Sequence, residues 1–323
     1  MNMIPQPTKE NLPHSLDLEE MGVKDLNTFL QWYEENQETL QDLLNQYGGL
    51  LLRDTYIRQD DDFAQFSEIA SKGSQLNYAS GNSPRSKVLK GVYTSTEFPA
   101  DRTIAIHNEL SYTSSWPAKI YFCSILPAET GGETPLANSR MIYENLPEYI
   151  RNEFEQKGVA YIRNLHGGNG VGVSWMDTFE TTDPAEAEDM MRNAGMEFRW
   201  TDGTDNLWIR DVKDAVITHP VHGCKVWFNQ ADEFHPSSNG VEMYQAMLTL
   251  YGGDTSQFPL YAQFGDGTDI PLEYLDTIRK VIDDCIVTFP WQKGDLLLLD
   301  NIMVGHGRRP FTGKRRTLVA MSN

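Results

Sequence analysis

His107-Asn108-Glu109 and, far along the chain, His306 supply two imidazoles and one carboxylate. That donor set is the facial triad of non-haem Fe(II) oxygenases, which leaves three coordination positions open for chemistry. On a β-strand, residues i and i+2 share a face, so His107 and Glu109 can reach one ion while Asn108 points away. His306 sits within Asp300-Asn301-Ile302-Met303-Val304-Gly305-His306-Gly307-Arg308-Arg309, so only tertiary folding completes the set. A lone His-x-Glu is a weak pattern, most often formed by ordinary surface or core residues. Here a basic pair, Arg315-Arg316, follows His306 by what reads as a β-hairpin. Pro310 and Gly313 mark its turn, and Thr317-Leu318-Val319-Ala320-Met321 reads as the returning strand. An arginine beside a metal site offers a planar fork for a carboxylate.

A second constellation competes for a metal: His219-Pro220-Val221-His222, with Cys224 nearby. Pro220 and Gly223 predict a tight turn there, not a helical face, and no Glu-x-x-His or CxxC accompanies it, which argues against zinc. There is no G-x-S-x-G elbow, no P-loop and no G-x-G-x-x-G after a strand.

Ordered along most of the chain are Thr94-Ser95-Thr96-Glu97-Phe98-Pro99, His107-Asn108-Glu109-Leu110-Ser111-Tyr112 and Gly131-Gly132-Glu133-Thr134-Pro135-Leu136. They are followed by Val226-Trp227-Phe228-Asn229-Gln230, Phe264-Gly265-Asp266-Gly267, Trp291-Gln292-Lys293-Gly294-Asp295 and the segment around His306. In these residues the chain, from about residue 45 to its end, resembles the Fe(II)/2-oxoglutarate-dependent dioxygenases of the taurine dioxygenase superfamily. Within that superfamily it is most similar to the syringomycin-type amino-acid hydroxylases of natural-product pathways. The resemblance implies that His107, Glu109 and His306 bind Fe(II), and that O2 and 2-oxoglutarate are consumed with release of succinate and CO2. It implies hydroxylation of an unactivated C–H of an amino acid or amino-acid-derived substrate. A Gly or Ala at the carboxylate position goes with halogenation in this superfamily, and Glu109 is present. Desaturation or epoxidation at the same site, and a non-catalytic metal-binding cupin-like protein, are the alternatives.

The resemblance also carries over cosubstrate residues. Thr134 matches the threonine that shares the far carboxylate of 2-oxoglutarate. Arg316 aligns with the arginine that grips it, ahead of Arg315, because period-2 alternation sends the two side chains to opposite faces. Taurine dioxygenase carries a second arginine four positions later for the sulfonate. Ala320 stands there, so taurine is not the expected substrate. Candidate substrate contacts are Asn108, Ser111 and Tyr112 beside the triad, Arg85 and Arg163 for a carboxylate, and Trp227, Phe228 and Asn229 as an aromatic wall with one polar anchor. Asp300 and Asn301 are expected to support a ligating histidine.

The chain has 323 residues, 40% of them hydrophobic and 11% aromatic, enough for one large domain with a substantial core. A net charge of −19 argues against a sequence-independent nucleic-acid binder and against anionic membranes. It also favours a free substrate over one held as a thioester on a peptidyl carrier protein, since carrier domains are often acidic and like charges disfavour contact. The local basic spot is Arg308, Arg309, Lys314, Arg315 and Arg316. Cys123, Cys224 and Cys285 are few and not in CxxC spacing, which predicts a reducing compartment without a disulfide framework, and Cys123 and Cys285, in apolar runs, read as core thiols. With no signal pattern and no membrane-length apolar run, the expected location is cytoplasmic.

Residues 1–17 read as a Pro- and polar-rich arm, and 18–323 as a single dioxygenase domain. Helices are expected over 24–47, 63–71, 140–157, 184–194, 241–251 and 271–284. Strands are expected over 49–54, 102–107, 118–126, 287–289 and 296–299. The loop-rich stretch 72–100 reads as a flexible lid. Strands bracketing inserted helices suit a mainly β chain with a double-stranded β-helix core, the jelly roll of cupins.

Overall fold

The computed structural model describes residues 9–76, 87–89, 91–95, 98–170, 172–201, 203 and 205–323. Two sheets form the jelly-roll core. The larger has seven strands in the order His14–Asp17, Gly49–Arg53, Leu296–Asp300, Lys119–Leu126, Arg316–Ser322, Val92–Thr94 and Lys87–Leu89. The smaller has three: Ile104–His107, Val304–Arg308 and Leu136–Asn138, with Val304–Arg308 in the middle.

Alternation decides what each face of the larger sheet does. Tyr121, Cys123, Leu296, Leu298, Leu318 and Ala320 turn outward, into a cluster with Phe29, Phe63 and Phe66. Those rings lie on the helices Leu26–Glu35 and Asp60–Ser71, and the Phe66 ring meets that of Tyr121 edge-on at 5.7 Å. Phe122, Leu297, Leu299, Val319 and Met321 turn inward, toward the smaller sheet. Each such side chain contributes about 1.5–3 kcal/mol through burial, which makes the larger sheet the rigid wall of the site.

Several elements differ from expectation. The helix expected over 24–47 is two, Leu26–Glu35 and Gln37–Tyr47, broken at Asn36, whose side-chain amide donates to the Trp32 carbonyl at 2.8 Å. The helix expected over 140–157 splits into Ser139–Asn145 and Glu148–Lys157 around Pro147, which lacks the N–H a continuous helix needs. The expected strand 287–289 is a single bridge from Val287 to Leu136. The end of the expected arm is an edge strand: His14–Asp17 pairs in parallel with Gly49–Arg53. Four residues with one apolar side chain give too little alternation to reveal that.

Within 72–100, Lys87–Leu89 and Val92–Thr94 extend the larger sheet, so this stretch is not all loop. The rest of the expected lid at 77–86, 90 and 96–97 lies outside the described residues. A four-stranded antiparallel sheet, Glu197–Trp200, Leu207–Lys213, Val159–Leu165 and Leu260–Phe264, was not anticipated. The apolar alternation of Leu207, Ile209 and Asp211 against Trp208, Arg210 and Val212 is imperfect, which hid it.

The largest difference concerns the expected hairpin after His306. Val304–Arg308 lies in the smaller sheet and Arg316–Ser322 in the larger. Between them Phe311–Thr312 pairs with Thr130–Gly131 while the chain crosses from one sheet to the other. Gly131 sits at φ +68°, and a Cβ there would stand 2.1 Å from the Pro310 carbonyl oxygen, so this crossing needs a glycine. Cys123 and Cys285 are buried. Among the described residues, no helix is long and apolar enough to cross a membrane.

Candidate active site

His306 and His107 are directly paired across neighbouring antiparallel strands, which puts their rings on one face with centroids 4.5 Å apart. The strands can come this close because Gly307 has no side chain. A Cβ there would lie 2.5 Å from the Ile104 carbonyl oxygen. Phe122, from the facing sheet, packs on the His306 ring at 4.9 Å. The strand ends at His107, and Glu109 lies in the turn that follows, with Leu110 at φ +57°. Glu109 therefore does not owe its direction to strand alternation. Its Oε2 nonetheless lies 3.7 Å from His306 Nε2.

One potential ligand atom from each of His107, Glu109 and His306 lies within 4.8 Å of the others, the sole such cluster of three among the described residues. His107 Nδ1 lies 3.0 Å from the Ala105 carbonyl oxygen, which leaves Nε2 with its lone pair toward the cluster. Two neutral imidazoles and one carboxylate with an open side suit Fe(II).

What aims Glu109 is Asn301. Its Oδ1 accepts from the Glu109 amide at 2.7 Å, and its Nδ2 donates to the carbonyls of Glu109 at 3.0 Å and Pro117 at 2.9 Å. This side chain is fully buried. Removing it strands three backbone groups and frees the turn. Asn301→Ala is expected to weaken metal binding about 10- to 100-fold, as loss of a ligand's support usually does. Competition against a chromogenic chelator measures this, and unchanged affinity would reject the role. Asp300 behaves differently from expectation: it accepts from His219 Nε2 at 2.9 Å and caps the turn at Ile302 and Met303. His219 Nδ1 in turn takes the amides of Val221 and His222. Both of its nitrogens are committed, one to Asp300 and one to its own turn.

Beside the triad is an open cavity whose walls include Ser95, Thr134, Arg308 and Arg315 together with His107 and His306. The segment 133–136 runs along the strand of His306: Gly307 and Arg309 donate to the carbonyls of Pro135 and Glu133. This sets Thr134 into the wall, where its hydroxyl accepts from Trp291 Nε1 at 3.1 Å. Arg315 donates to the Gly132 carbonyl at 3.1 Å and to Ser95 Oγ at 3.3 Å. Burial first, and the neighbouring Arg308 second, push its pKa down to about 10, so it is still a cation at neutral pH. Both terminal nitrogens of the Arg308 guanidinium are spent on the backbone carbonyls of Phe98, Pro99 and Arg102. Arg315 is thus the cation this cavity offers to an anion.

The preference for Arg316 over Arg315 is reversed here. Arg316 shares the outward parity of Leu318 and Ala320 and pairs with Asp60 on the covering helix, its Nε 3.0 Å from Asp60 Oδ1. The partner strand absorbs the bulge beside it, with Arg316 opposite Leu126 and Thr317 opposite Ser124, so alternation along Arg316–Ser322 is kept. Counting four positions from Arg315 gives Val319, buried and apolar like Ala320.

Most expected substrate contacts are structural. The Asn108 side chain bonds Ser139 and the Asn301 carbonyl, and Asn229 bonds the Ala215 carbonyl and the Ala231 amide. Trp227 packs on Phe154 at 4.9 Å in the core, and Phe228 on Trp116 at 5.0 Å. Ser111 accepts from Gln230 Nε2 at 3.1 Å, and Tyr112 packs on Phe234 at 5.0 Å. Arg163 is buried in the four-stranded sheet, in the fields of Tyr112 and Asp211. Arg85 lies outside the described residues. Gln230, which also donates to the Asn108 carbonyl at 2.9 Å, ties the triad's turn to the helix after it. Its place in the Val226–Gln230 segment was the signal for it. Ser95 was legible only as part of a motif.

A jelly roll that sets two imidazoles and one carboxylate beside a cation-lined cavity is built for mononuclear Fe(II) oxygen chemistry. The chain belongs to the taurine catabolism dioxygenase TauD, TfdA family, whose model matches residues 10–322. It is 37% identical over 282 residues to the dapdiamide synthesis protein DdaC of Enterobacter agglomerans, covering 87% of this chain and 84% of that one. It is 31% identical over 307 residues to a clavaminate synthase-like protein of Arabidopsis thaliana, covering 92% and 88%. Among solved structures, AAD-2 in complex with Mn(II) and N-oxalylglycine matches with a TM-score of 0.50 at 15% identity, covering 88% of this chain and 86% of that one. A putative α-ketoglutarate-dependent taurine dioxygenase from Burkholderia xenovorans also gives 0.50, at 14% identity, covering 90% and 84%. At such identities these structures speak for the fold alone. The protein is an Fe(II)- and 2-oxoglutarate-dependent dioxygenase that uses O2.

Proposed function

We propose that this enzyme hydroxylates an unactivated C–H of an amino acid or amino-acid-derived molecule, with one oxygen atom of O2 entering the product and the other entering succinate. The observation that carries the reading is the intact triad with Glu109 in place, next to a cavity whose cation is Arg315. Bound iron supplies O2 activation coupled to oxidative decarboxylation of 2-oxoglutarate. His107, Glu109 and His306 hold that iron on one side and leave the other open. Arg315 takes the far carboxylate of 2-oxoglutarate as a planar fork, and the Thr134 hydroxyl, oriented by Trp291, shares it. Phe122 and Ile104 keep water from the cavity wall. The relative named for dapdiamide synthesis supports a place in natural-product assembly. The net charge of −19 favours a free small molecule over a carrier-bound one.

The test is aerobic succinate formation by the Fe(II)-loaded protein across a panel of free amino acids and their carrier-tethered forms. Succinate stimulated by one compound, with a product one oxygen heavier, is the expected result. A product lighter by two hydrogens would make the enzyme a desaturase. No stimulation above a His306→Ala control by any compound would reject the amino-acid reading.

A further inference from the structure

Three segments far apart in the chain bring hydrogen-bond donors to the cavity beside the triad. Ser95 follows the strand Val92–Thr94, and its amide donates to the Thr317 carbonyl at 2.9 Å, which holds it two residues from Arg315. Arg315 comes from the crossing between the two sheets. Its stem lies against Gly132, where a Cβ would stand 3.1 Å from the Arg315 Cδ. Thr134 comes from the segment that runs along the strand of His306. Arg315 and Thr134 already have a role at the far carboxylate of 2-oxoglutarate. Ser95 has none, yet it lines the same cavity and touches the same arginine.

The direction of two hydrogen bonds decides what the hydroxyls can do. A tryptophan Nε1 and an arginine guanidinium only donate. Thr134 Oγ1 must therefore accept from Trp291 Nε1 at 3.1 Å, and Ser95 Oγ must accept from Arg315 Nη1 at 3.3 Å. Each hydroxyl still has its own proton to give. Among the described residues, neither proton has an acceptor.

The rest of the wall supplies none. Both terminal nitrogens of Arg308 and the Nε of Arg315 are donors too, spent on backbone carbonyls. Among the described residues, no acidic side chain lines the cavity. Two hydroxyl protons and the remaining N–H groups of Arg315 are thus left for one space that holds donors without an acceptor. Donors unpaired out of water cost free energy, and a group that only accepts would relieve them together. An ionised carboxylate is such a group, with about four lone-pair sites on two oxygens and no donor.

We infer that Ser95 is a third donor to the far carboxylate of 2-oxoglutarate, beside Arg315 and Thr134, and that Arg315 and Trp291, by donating to the backs of the two hydroxyls, turn both protons toward it. This rests on the placement of 2-oxoglutarate proposed above and adds to it a binding residue and a positioning residue. Arg315 supplies the charge, which any anion would satisfy. The two hydroxyls, fixed as donors, supply direction.

The test is calorimetric titration of the Zn(II)-loaded protein, in which 2-oxoglutarate binds without being consumed. Pyruvate is the internal control, because it has the same keto-acid end and lacks the far carboxylate. If 2-oxoglutarate binds the wild-type protein no more tightly than pyruvate, the placement of the cosubstrate has itself failed, and the role of Ser95 falls with it. With that placement intact, Ser95→Ala is expected to weaken 2-oxoglutarate about 10- to 150-fold, the scale of one hydrogen bond to a charged group, and to leave pyruvate unchanged. Ser95→Thr keeps the hydroxyl and should recover most of the loss. Trp291→Phe should weaken 2-oxoglutarate about 2- to 10-fold, the scale of one neutral hydrogen bond. In a Thr134→Val background the same substitution should change nothing further, as befits a residue that acts through another.

A Ser95→Ala protein that binds 2-oxoglutarate like wild type overturns the assignment. So does an equal loss for pyruvate, which would mean general damage to the site. If Ser95 only steadied Arg315, its effect would vanish in an Arg315→Gln background. The effect is expected to persist there, and its disappearance overturns the contact. Equal losses for Trp291→Phe with and without the Thr134 hydroxyl would overturn the orienting role of Trp291.

Discussion

His306→Ala is expected to drop the iron content of the protein from one ion per chain to a small fraction and to cut 2-oxoglutarate-dependent succinate formation by more than about 100-fold. The lower bound comes from second-layer supports of metal ligands, whose loss already costs 10- to 100-fold. His306 is a ligand itself in the proposed site, and nothing nearby replaces it. The alternative His219 is held by Asp300 and by its own turn and cannot swing across. The fold should survive the change, because the ring is one wall of a cavity, whereas the surrounding core consists of Phe122, Leu136 and Val304. Metal analysis by mass spectrometry, with far-ultraviolet dichroism as the folding control, makes the measurement. A His306→Ala protein that keeps stoichiometric iron would reject the triad.

Arg315→Ala and Arg316→Ala should differ more than any other adjacent pair in the chain. For Arg315→Ala the KM for 2-oxoglutarate should rise about 30- to 4,000-fold, since removing one partner of a buried charge pair costs about 2–5 kcal/mol. For Arg316→Ala the rise should stay within about twofold. Its guanidinium pairs with Asp60 on the outer face, half-exposed, and such pairs contribute about 0–1 kcal/mol to stability. Arg315→Lys should recover only part of the loss, because an ammonium offers no planar fork. Steady-state succinate assays at varied 2-oxoglutarate decide it. Equal effects at both positions would mean that the larger sheet presents its faces differently from the arrangement described.

The chemistry was legible in the chain because it depends on residue types. Two histidines and a glutamate are a metal's donor set, and the ordered motifs around them made that reading specific. The helices over 63–71, 184–194, 241–251 and 271–284 were also legible within a few residues, since each has an apolar stripe and a stop. Breaks inside apolar stripes were harder to see. Asn36 and Pro147 interrupt helices whose periodicity runs on past them, so the pattern reported one element in place of two.

Direction is what the chain could not state. In Arg316–Ser322, Leu318 and Ala320 are buried on one face and Val319 and Met321 on the other. With apolar residues on both sides, alternation shows that Arg315 and Arg316 diverge but not which one enters the cavity. The covering helix decides it by placing Asp60 on the outer face to receive Arg316. Likewise Asn108, between two triad residues, and Asn229, in the Val226–Gln230 segment, are polar residues expected at the substrate, and hydrogen bonds to Ser139 and Ala215 turn both of them into the scaffold. The sequence by itself determined which ion and which class of chemistry this protein supports, since donor types suffice for that. Tertiary packing alone decided which arginine faces the cavity, because that depends on which faces are covered.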